Sequence, residues 1–232
     1  MMLKLGIPSK GRLQAKTIDW FATKGISIKR MGPDREYAGL VEGMDNVELV
    51  LLSAGEIPKE LAAGRINLGV TGTDLVQEKM GDWATIVDEV EPLGFGRADL
   101  VLAVPDCWVD VISVDDLDAV AAQFRVDHGF RLRIATKYHG LTRRFLSMHA
   151  VADYQLIDSQ GATEGTVKNL NAEAISDITS TGDTLRANGL RILSDGLILR
   201  SEAKVYASKT AKWDVVSEAG FAMLAEKTGW VR

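Results

Sequence analysis

The segment Asp177-Ile178-Thr179-Ser180-Thr181-Gly182-Asp183-Thr184-Leu185 is the part of the chain richest in chemistry. An apolar run enters a hydroxyl-rich turn with one glycine, and a helical pattern starts at once. The first amides of a helix have no intrahelical partner, and the helix dipole adds partial positive charge there. Gly182 lets the backbone approach an anion closely, and Ser180, Thr181 and Thr184 add hydroxyl donors. A phosphate monoester fits such a nest. Asp177 has the wrong sign for the phosphate, but it suits ribose hydroxyls or a magnesium ion beside them. The order D-x-x-x-T-G-x-T therefore reads as a sugar-phosphate signature. Ser and Thr are also common helix caps, so a lone T-G-x-T would read as a capped helix. The whole string at a strand–helix junction favours phosphate.

Other turns carry charge or glycine. Lys10, Gly11 and Arg12 follow the first apolar run. At the C-terminal end of a parallel strand, such cations could neutralise a pyrophosphate or triphosphate, although surface Lys and Arg are usually just solvated. Gly69, Gly72, Thr73 and Asp74 form a second strand-to-helix turn, either a cap or an approach to a nucleotide. Arg30 and Arg35 flank a Gly32-Pro33 turn and either hold phosphates or lie on a solvated loop. Lys137 and Arg143 are structural or face a cleft. The three histidines have no cysteine partners and no H-E-x-x-H spacing, so none is assigned to zinc or catalysis. The five tryptophans are scattered and read as core or interface.

The elements that must position these turns alternate. Met2–Ile7 is a predicted strand, Leu13–Lys24 a helix closed by Gly25, and Val47–Leu52 a buried strand. Glu56–Ala63 is a short helix stopped by Gly64; Ile66–Thr71 and Gly72–Lys79 are the next strand and helix. This rhythm predicts an α/β protein with a mostly parallel sheet. Beyond Leu93-Gly94-Phe95-Gly96, Arg97–Val104 is a strand, and Ser113–Asp116 is a capping box opening a helix to about Ala122. Arg133–Thr136, Asp153–Ile157 and Ala172–Ile178 are further strands, and Thr181–Ala187 a helix. Leu190–Ala207 reads as two strands with a turn at Asp195-Gly196, and Asp214–Lys227 as a closing helix.

Composition bounds the class. At about 150 residues per domain, 232 residues make one large domain or two small ones. The 46% hydrophobic and 25% charged content excludes disorder and fibre. No apolar run is long enough for a transmembrane helix, and no secretory signal is expected, so no membrane association is foreseen. The net charge of −5 argues against nucleic acid as a partner. A single cysteine, Cys107, fits a reducing cytoplasm.

Several ordered blocks resemble the ATP phosphoribosyltransferase family, the first enzyme of histidine biosynthesis. They are Gly6–Leu13, Gly64–Asp74, Leu93–Arg97, Arg133–Tyr138 with Leu141-Thr142-Arg143, and Glu164 followed by Ala172–Leu185 and Asn188-Gly189-Leu190. Together they run from residue 6 to 190. The chain departs from the family pattern where Val167 and Leu170 stand in place of Pro and Gly. Ser53 stands near a place that is often basic, Glu56 stands where Asp is common, and His139-Gly140 interrupts the fourth block, between Tyr138 and Leu141.

The resemblance implies two α/β lobes of the type II periplasmic binding protein kind, with the active site in the cleft between them. The expected lobes are residues 1–94 with 185–232, and residues 95–184. It implies transfer of the 5-phosphoribosyl group from phosphoribosyl pyrophosphate to N1 of ATP, with Mg²⁺ carried by the substrate or touching Asp177. Phosphoribosyl pyrophosphate would be bound by Glu164, Asp177, Thr179, Ser180, Thr181, Gly182, Asp183 and Thr184. ATP would be bound by Gly11, Arg30, Gly72, Thr73 and Asp74, and catalysis assisted by Lys10 and Arg12. The length resembles that family's short form. That form implies a separate regulatory subunit related to histidyl-tRNA synthetase, and a homodimer within a hetero-oligomer. Two rival readings remain: a phosphoribosyltransferase acting on another base, and a non-catalytic binding protein. Ser176, where purine-salvage enzymes carry a second acid, counts against the usual form of the first.

Overall fold

The computed structural model describes residues 1–30, 38–159 and 161–231. The chain divides into two compact units, Met1–Gly96 with Glu202–Arg232, and Arg97–Ser201.

In chain order, the first unit opens with β1 (Leu3–Pro8), α1 (Gly11–Thr23), β2 (Ile28–Arg30), β3 (Ala38–Val41) and β4 (Val47–Leu52). There follow α2 (Ile57–Ala62), β5 (Leu68–Gly72), α3 (Thr73–Lys79), α4 (Trp83–Ile86) and β6 (Val87–Pro92). The second unit holds β7 (Ala98–Pro105), α5 (Val114–His128), β8 (Leu132–Thr136), α6 (His139–Met148) and β9 (Tyr154–Asp158). It continues with α7 (Gly165–Lys168), β10 (Ala174–Thr179), α8 (Asp183–Ala187) and β11 (Leu190–Ser201). The chain returns to the first unit with β12 (Ala203–Ser208) and α9 (Val215–Thr228).

The first unit's sheet has the order β2-β3-β4-β1-β5-β12-β6, and the second's β11-β7-β10-β8-β9. Each contains a parallel trio, β4-β1-β5 and β10-β8-β9. The remaining pairs are antiparallel. The expectation of a mostly parallel sheet is thus corrected. The strands β2, β3 and β6, which the sequence reading did not separate out, and the returning β12 pair as antiparallel neighbours outside the trio.

Helices pack on the central strands of each sheet and bury their apolar side chains. In the first unit, Leu5, Ile7, Leu49 and Val70 pack with Phe21 of α1 and Leu224 of α9. On a separate cluster, Ile57 and Leu61 of α2 pack with Val76 of α3 and Tyr206 of β12. In the second unit, Leu102, Ile134 and Ala174 pack with Leu117 of α5 and Phe145 of α6. Val101, Ala135 and Ile175 pack with Leu185 of α8. Trp230 is part of the first unit's core and stacks on the half-buried Trp20 at 6.0 Å, where the sequence left core or interface open.

Three boundaries differ from expectation. The return crossing lies at Ser201/Glu202, not at 184/185, because the twelve residues of β11 pair antiparallel with β7 and belong to the second unit. Asp195-Gly196 is not a turn between strands but an irregularity within β11, where the register shifts between Ile192 and Leu197. A Cβ at Gly196 would stand 2.8 Å from the Leu102 carbonyl oxygen, so only glycine fits that close approach. Helix α5 runs past Ala122 to His128, where Gly129, at φ 75°, ends it. The Ser113 capping box is present as read. Among the described residues no helix is long and apolar enough to cross a membrane.

Candidate active site

Parallel strands leave their following loops at one edge of the sheet. In the second unit, the trio β10-β8-β9 brings the loop after β10 to the same edge as the segments after β8 and β9. Asp177, Thr179 through Thr184, Lys137 and Glu164 therefore share that edge.

The loop after β10 is held by its own side chains. Gly182 has φ 76°, a left-handed conformation that costs glycine nothing. Its N–H donates to Thr179 Oγ1 at 2.9 Å. Thr181 Oγ1 donates to Asp183 Oδ2 at 2.6 Å, and Ser180 Oγ donates to the Arg97 carbonyl at 3.2 Å. Arg186 Nη2 donates to the Thr181 carbonyl at 3.0 Å and to Asp183 Oδ1 at 2.5 Å. The Thr181 hydroxyl and the Arg186 guanidinium hold the Asp183 carboxyl below the usual carboxylate range.

The hydroxyls of Ser180 and Thr181, expected to face a ligand, are thus engaged inside the loop. The backbone N–H groups of Thr181 and Thr184 and the Thr184 hydroxyl make no hydrogen bond among the described residues. These open donors are what the loop offers an anion. Helix α8 has only five residues, so its aligned dipole is small and the local amides matter more.

Asp177 is half-buried in β10, and its Oδ1 accepts the Ile178 N–H at 2.9 Å. Just before it, Ser176 is fully buried and accepts from Thr142 Oγ1 at 2.8 Å. The β alternation that buries Ser176 turns Asp177 to the other face. Glu164 is the half-buried residue leading into α7, and its carboxylate makes no hydrogen bond or ion pair among the described residues. The preceding Thr163 is fully buried and tied to Ser159 Oγ at 3.1 Å.

In the first unit, the trio β4-β1-β5 brings Lys10, Gly11 and Arg12 to the same edge as Gly72, Thr73 and Asp74. Lys10 and Arg12 are exposed at the start of α1. Ser9 N–H donates to the Leu52 carbonyl at 2.7 Å, which ties that loop to the end of β4. Thr73 is buried; its Oγ1 donates to the Glu202 carbonyl at 3.2 Å and accepts from Tyr206 Oη at 3.3 Å. Burial pushes the Tyr206 phenol well up, so it stays a donor. The Thr73 hydroxyl is therefore spent on the fold. Asp74 is buried and partnered. Near Ser53, the Glu56 carboxylate accepts the Ser53 N–H at 3.0 Å and is held low by that residue's hydrogen bonds. Arg30 ends β2, whereas Arg35 and the Gly32-Pro33 turn lie outside the described residues.

Arg186 was missed from sequence. Its signal was the i,i+3 spacing from Asp183. Arg143 is placed on α6, in a hollow with Arg131 and Tyr154.

The chain resembles known proteins over nearly its whole length. A family model for HisG, ATP phosphoribosyltransferase, matches residues 53–226. An ATP phosphoribosyltransferase of Cereibacter sphaeroides is 63% identical over 99% of this chain and 97% of its own length. The chain belongs to the ATP phosphoribosyltransferase family. A Rhodopseudomonas palustris family member is 49% identical over 90% of this chain, which spans only 64% of that relative's length. The solved ATP phosphoribosyl transferase (HisG:HisZ) complex from Thermotoga maritima matches with TM-score 0.74 and 26% identity, covering 97% of this chain and 95% of that one. The alkanesulfonate-binding protein SsuA from Xanthomonas axonopodis pv. citri matches with TM-score 0.52 at 14% identity, over 97% of this chain and 71% of its own. That likeness concerns the fold alone, and it bears out the two-lobed periplasmic-binding-protein architecture expected for this ATP phosphoribosyltransferase family member.

Proposed function

We propose that this chain transfers the 5-phosphoribosyl group of phosphoribosyl pyrophosphate to N1 of the adenine of ATP, releasing pyrophosphate, as the first step of histidine biosynthesis. The observation that carries this reading is the loop Thr179–Thr184, with open amides at Thr181 and Thr184 and Asp177 just upstream. The amides suit the 5-phosphate, and Asp177 and Glu164 suit the ribose hydroxyls. The N1 lone pair attacks ribose C1 as the C1–O bond to pyrophosphate breaks, and the electron pair leaves with pyrophosphate. Since N1 already has its lone pair, no general base is needed to create the nucleophile. Positioning and charge neutralisation are then the main demands on the protein. Lys10 and Arg12 are assigned to the leaving pyrophosphate, and Gly11, Arg30, Gly72, Thr73 and Asp74 to ATP. Thr73 would serve there by shaping the turn, because its hydroxyl is engaged and its N–H donates to the Glu202 carbonyl at 3.1 Å.

Mg²⁺ would supply charge neutralisation on the phosphates. Among the described residues no group of three or more His, Cys, Asp or Glu side chains could hold a metal ion. A lone Asp177 fits a contact to an ion that arrives with the substrate.

The match to the HisG:HisZ complex supports a regulatory partner of the HisZ kind. A homodimer within a hetero-oligomer, located in the cytoplasm, completes the proposal. A transferase acting on another base is not favoured, since the curated relatives carry the ATP phosphoribosyltransferase name.

The test is direct. The chain is mixed with ATP, Mg²⁺, phosphoribosyl pyrophosphate and pyrophosphatase, with and without a candidate HisZ-like subunit, and phosphoribosyl-ATP is followed by ultraviolet absorbance. Product from wild type and a loss of at least a hundredfold in Asp177→Ala are expected; a hundredfold is about 2.7 kcal/mol of transition-state stabilisation. Tight phosphoribosyl pyrophosphate binding with no product under either condition would overturn the assignment of ATP as acceptor.

A further inference from the structure

The second unit contains a hollow that the phosphate loop does not use. It encloses about 600 Å³ between α6 and the edge strand β9, and Arg131, Arg143, Ser147, Tyr154 and Gln155 are among the residues lining it. That volume falls in the range of small-molecule sites, roughly 300–1,000 Å³.

Its charge is one-sided. No Asp or Glu lines it. Arg131 and Arg143 make no ion pair or hydrogen bond among the described residues. Nearby acids are already engaged. Asp153 sits in sequence between the lining residues Ala152 and Tyr154, but Arg125 holds its carboxylate at 2.5 Å. Asp118 accepts the N–H of the lining residue Ala152 at 3.1 Å. In a chain of net charge −5, two unanswered guanidiniums around one concavity leave a local positive field.

The frame is pre-built. Val151 is buried, and its N–H donates to the Leu146 carbonyl at 3.0 Å. Ala150 is held at φ 56° with its N–H on the Ser147 carbonyl at 3.1 Å. Among the described residues, none of the exposed large hydrophobic side chains lines the hollow. It therefore lacks the apolar anchor that a protein interface uses. Serine, tyrosine and glutamine instead offer hydrogen bonds.

We infer that this hollow is a second anion site, which takes a phosphorylated small molecule of about nucleoside monophosphate size, with Arg131 and Arg143 supplying the charge and Ser147, Tyr154 and Gln155 the polar contacts. The inference is independent of the proposed transferase reaction.

The test titrates the ¹⁵N-labelled full chain with AMP, and separately with inorganic phosphate, at constant ionic strength. The Gln155 side-chain amide and the Ser147 and Ala152 backbone amides report the hollow, while the Thr181 and Thr184 amides report the phosphate loop in the same spectra. Saturable shifts in the hollow are expected, tighter for AMP than for phosphate, and at least tenfold weaker in the double variant Arg131→Gln/Arg143→Gln. The loop's response should survive in that variant, which also shows that it folds. Absence of saturable shifts in the hollow, or shifts unchanged in the double variant, would overturn the site. So would a response only to an added protein partner. A silent loop beside a responding hollow would count against the transferase reading and leave this one standing.

Discussion

Arg186 Nη2 stands 3.0 Å from the Thr181 carbonyl and 2.5 Å from Asp183 Oδ1, so one guanidinium both ties the phosphate loop and neutralises the acid inside it. Without it, the Asp183 carboxylate would keep the Thr181 hydroxyl but lose its neutralising charge. Both side chains are largely exposed, at 62% and 76%, so the pair adds little to stability. Arg186→Gln should therefore leave the melting temperature nearly unchanged. It should raise the KM for phosphoribosyl pyrophosphate about fivefold, an order-of-magnitude figure for a screened charge. The KM for ATP should not move. Steady-state kinetics with each substrate varied in turn checks this, and Asp183→Asn/Arg186→Gln should recover part of the loss.

Gly182 is the second lever on the same loop. Its φ of 76° is left-handed, and an added Cβ would sit 2.8 Å from Arg186 Nη1. The arginine end can swing away, so the backbone term dominates, roughly 1–2 kcal/mol for a non-glycine residue. Gly182→Ala should lower the urea midpoint accordingly and raise the KM for phosphoribosyl pyrophosphate. An unchanged midpoint together with an unchanged KM would mean that the loop does not depend on this conformation.

Leu170 offers the opposite experiment. It has φ 58° and is 81% exposed, so it bears left-handed strain with little packing in return. Glycine, which the family pattern carries near this place, removes that strain. Part of the gain is lost to the freer unfolded chain. The expected net stabilisation of Leu170→Gly is about 0.5 kcal/mol, measured by urea unfolding, with Leu170→Ala as the control that keeps the strain.

A pH dependence follows from the cap of α5. The Asp116 carboxylate accepts the Ser113 N–H at 2.8 Å, the Ser113 hydroxyl at 2.8 Å and the Ile112 N–H at 2.9 Å. The Ser113 amide, then its hydroxyl, then the Ile112 amide hold its pKa below the ordinary value. A carboxyl depressed in the folded state stabilises above its unfolded pKa, near 4. That contribution is lost as pH falls through the lower folded value. Asp116→Ala should thus melt below wild type at pH 7, and the gap should close as pH drops below about 4. Thermal melts from pH 7 to 3 check the convergence.

The alternation of strand-like runs, breakers and helical patterns made the strands of the parallel trios legible, because a parallel pair needs a crossover connection between its strands. The capping box at Ser113, the stop at Gly64 and the strand–loop–helix at Asp177–Leu185 are local signals, set by side chains within a few residues of the backbone they satisfy. What escaped was long-range. The assignment of β11 to the second unit follows from its pairing with β7, some 90 residues earlier in sequence. The antiparallel additions β2 and β3 are only three and four residues long, and the register of these and of β6 and β12 depends on partners that no local pattern names.

By itself, then, the sequence determined which residues are chemically able to hold a sugar phosphate and which helices and strands flank them. Only the tertiary structure decided which donors stay open. The Ser180, Thr181 and Thr73 hydroxyls turn inward to Arg97, Asp183 and Glu202, while the Thr181 and Thr184 amides remain free. The physical reason is that a hydroxyl satisfies whichever acceptor the fold brings within 3 Å or so: for Ser180 and Thr73 that acceptor comes from a distant segment, and for Thr181 from the turn that the folded loop adopts.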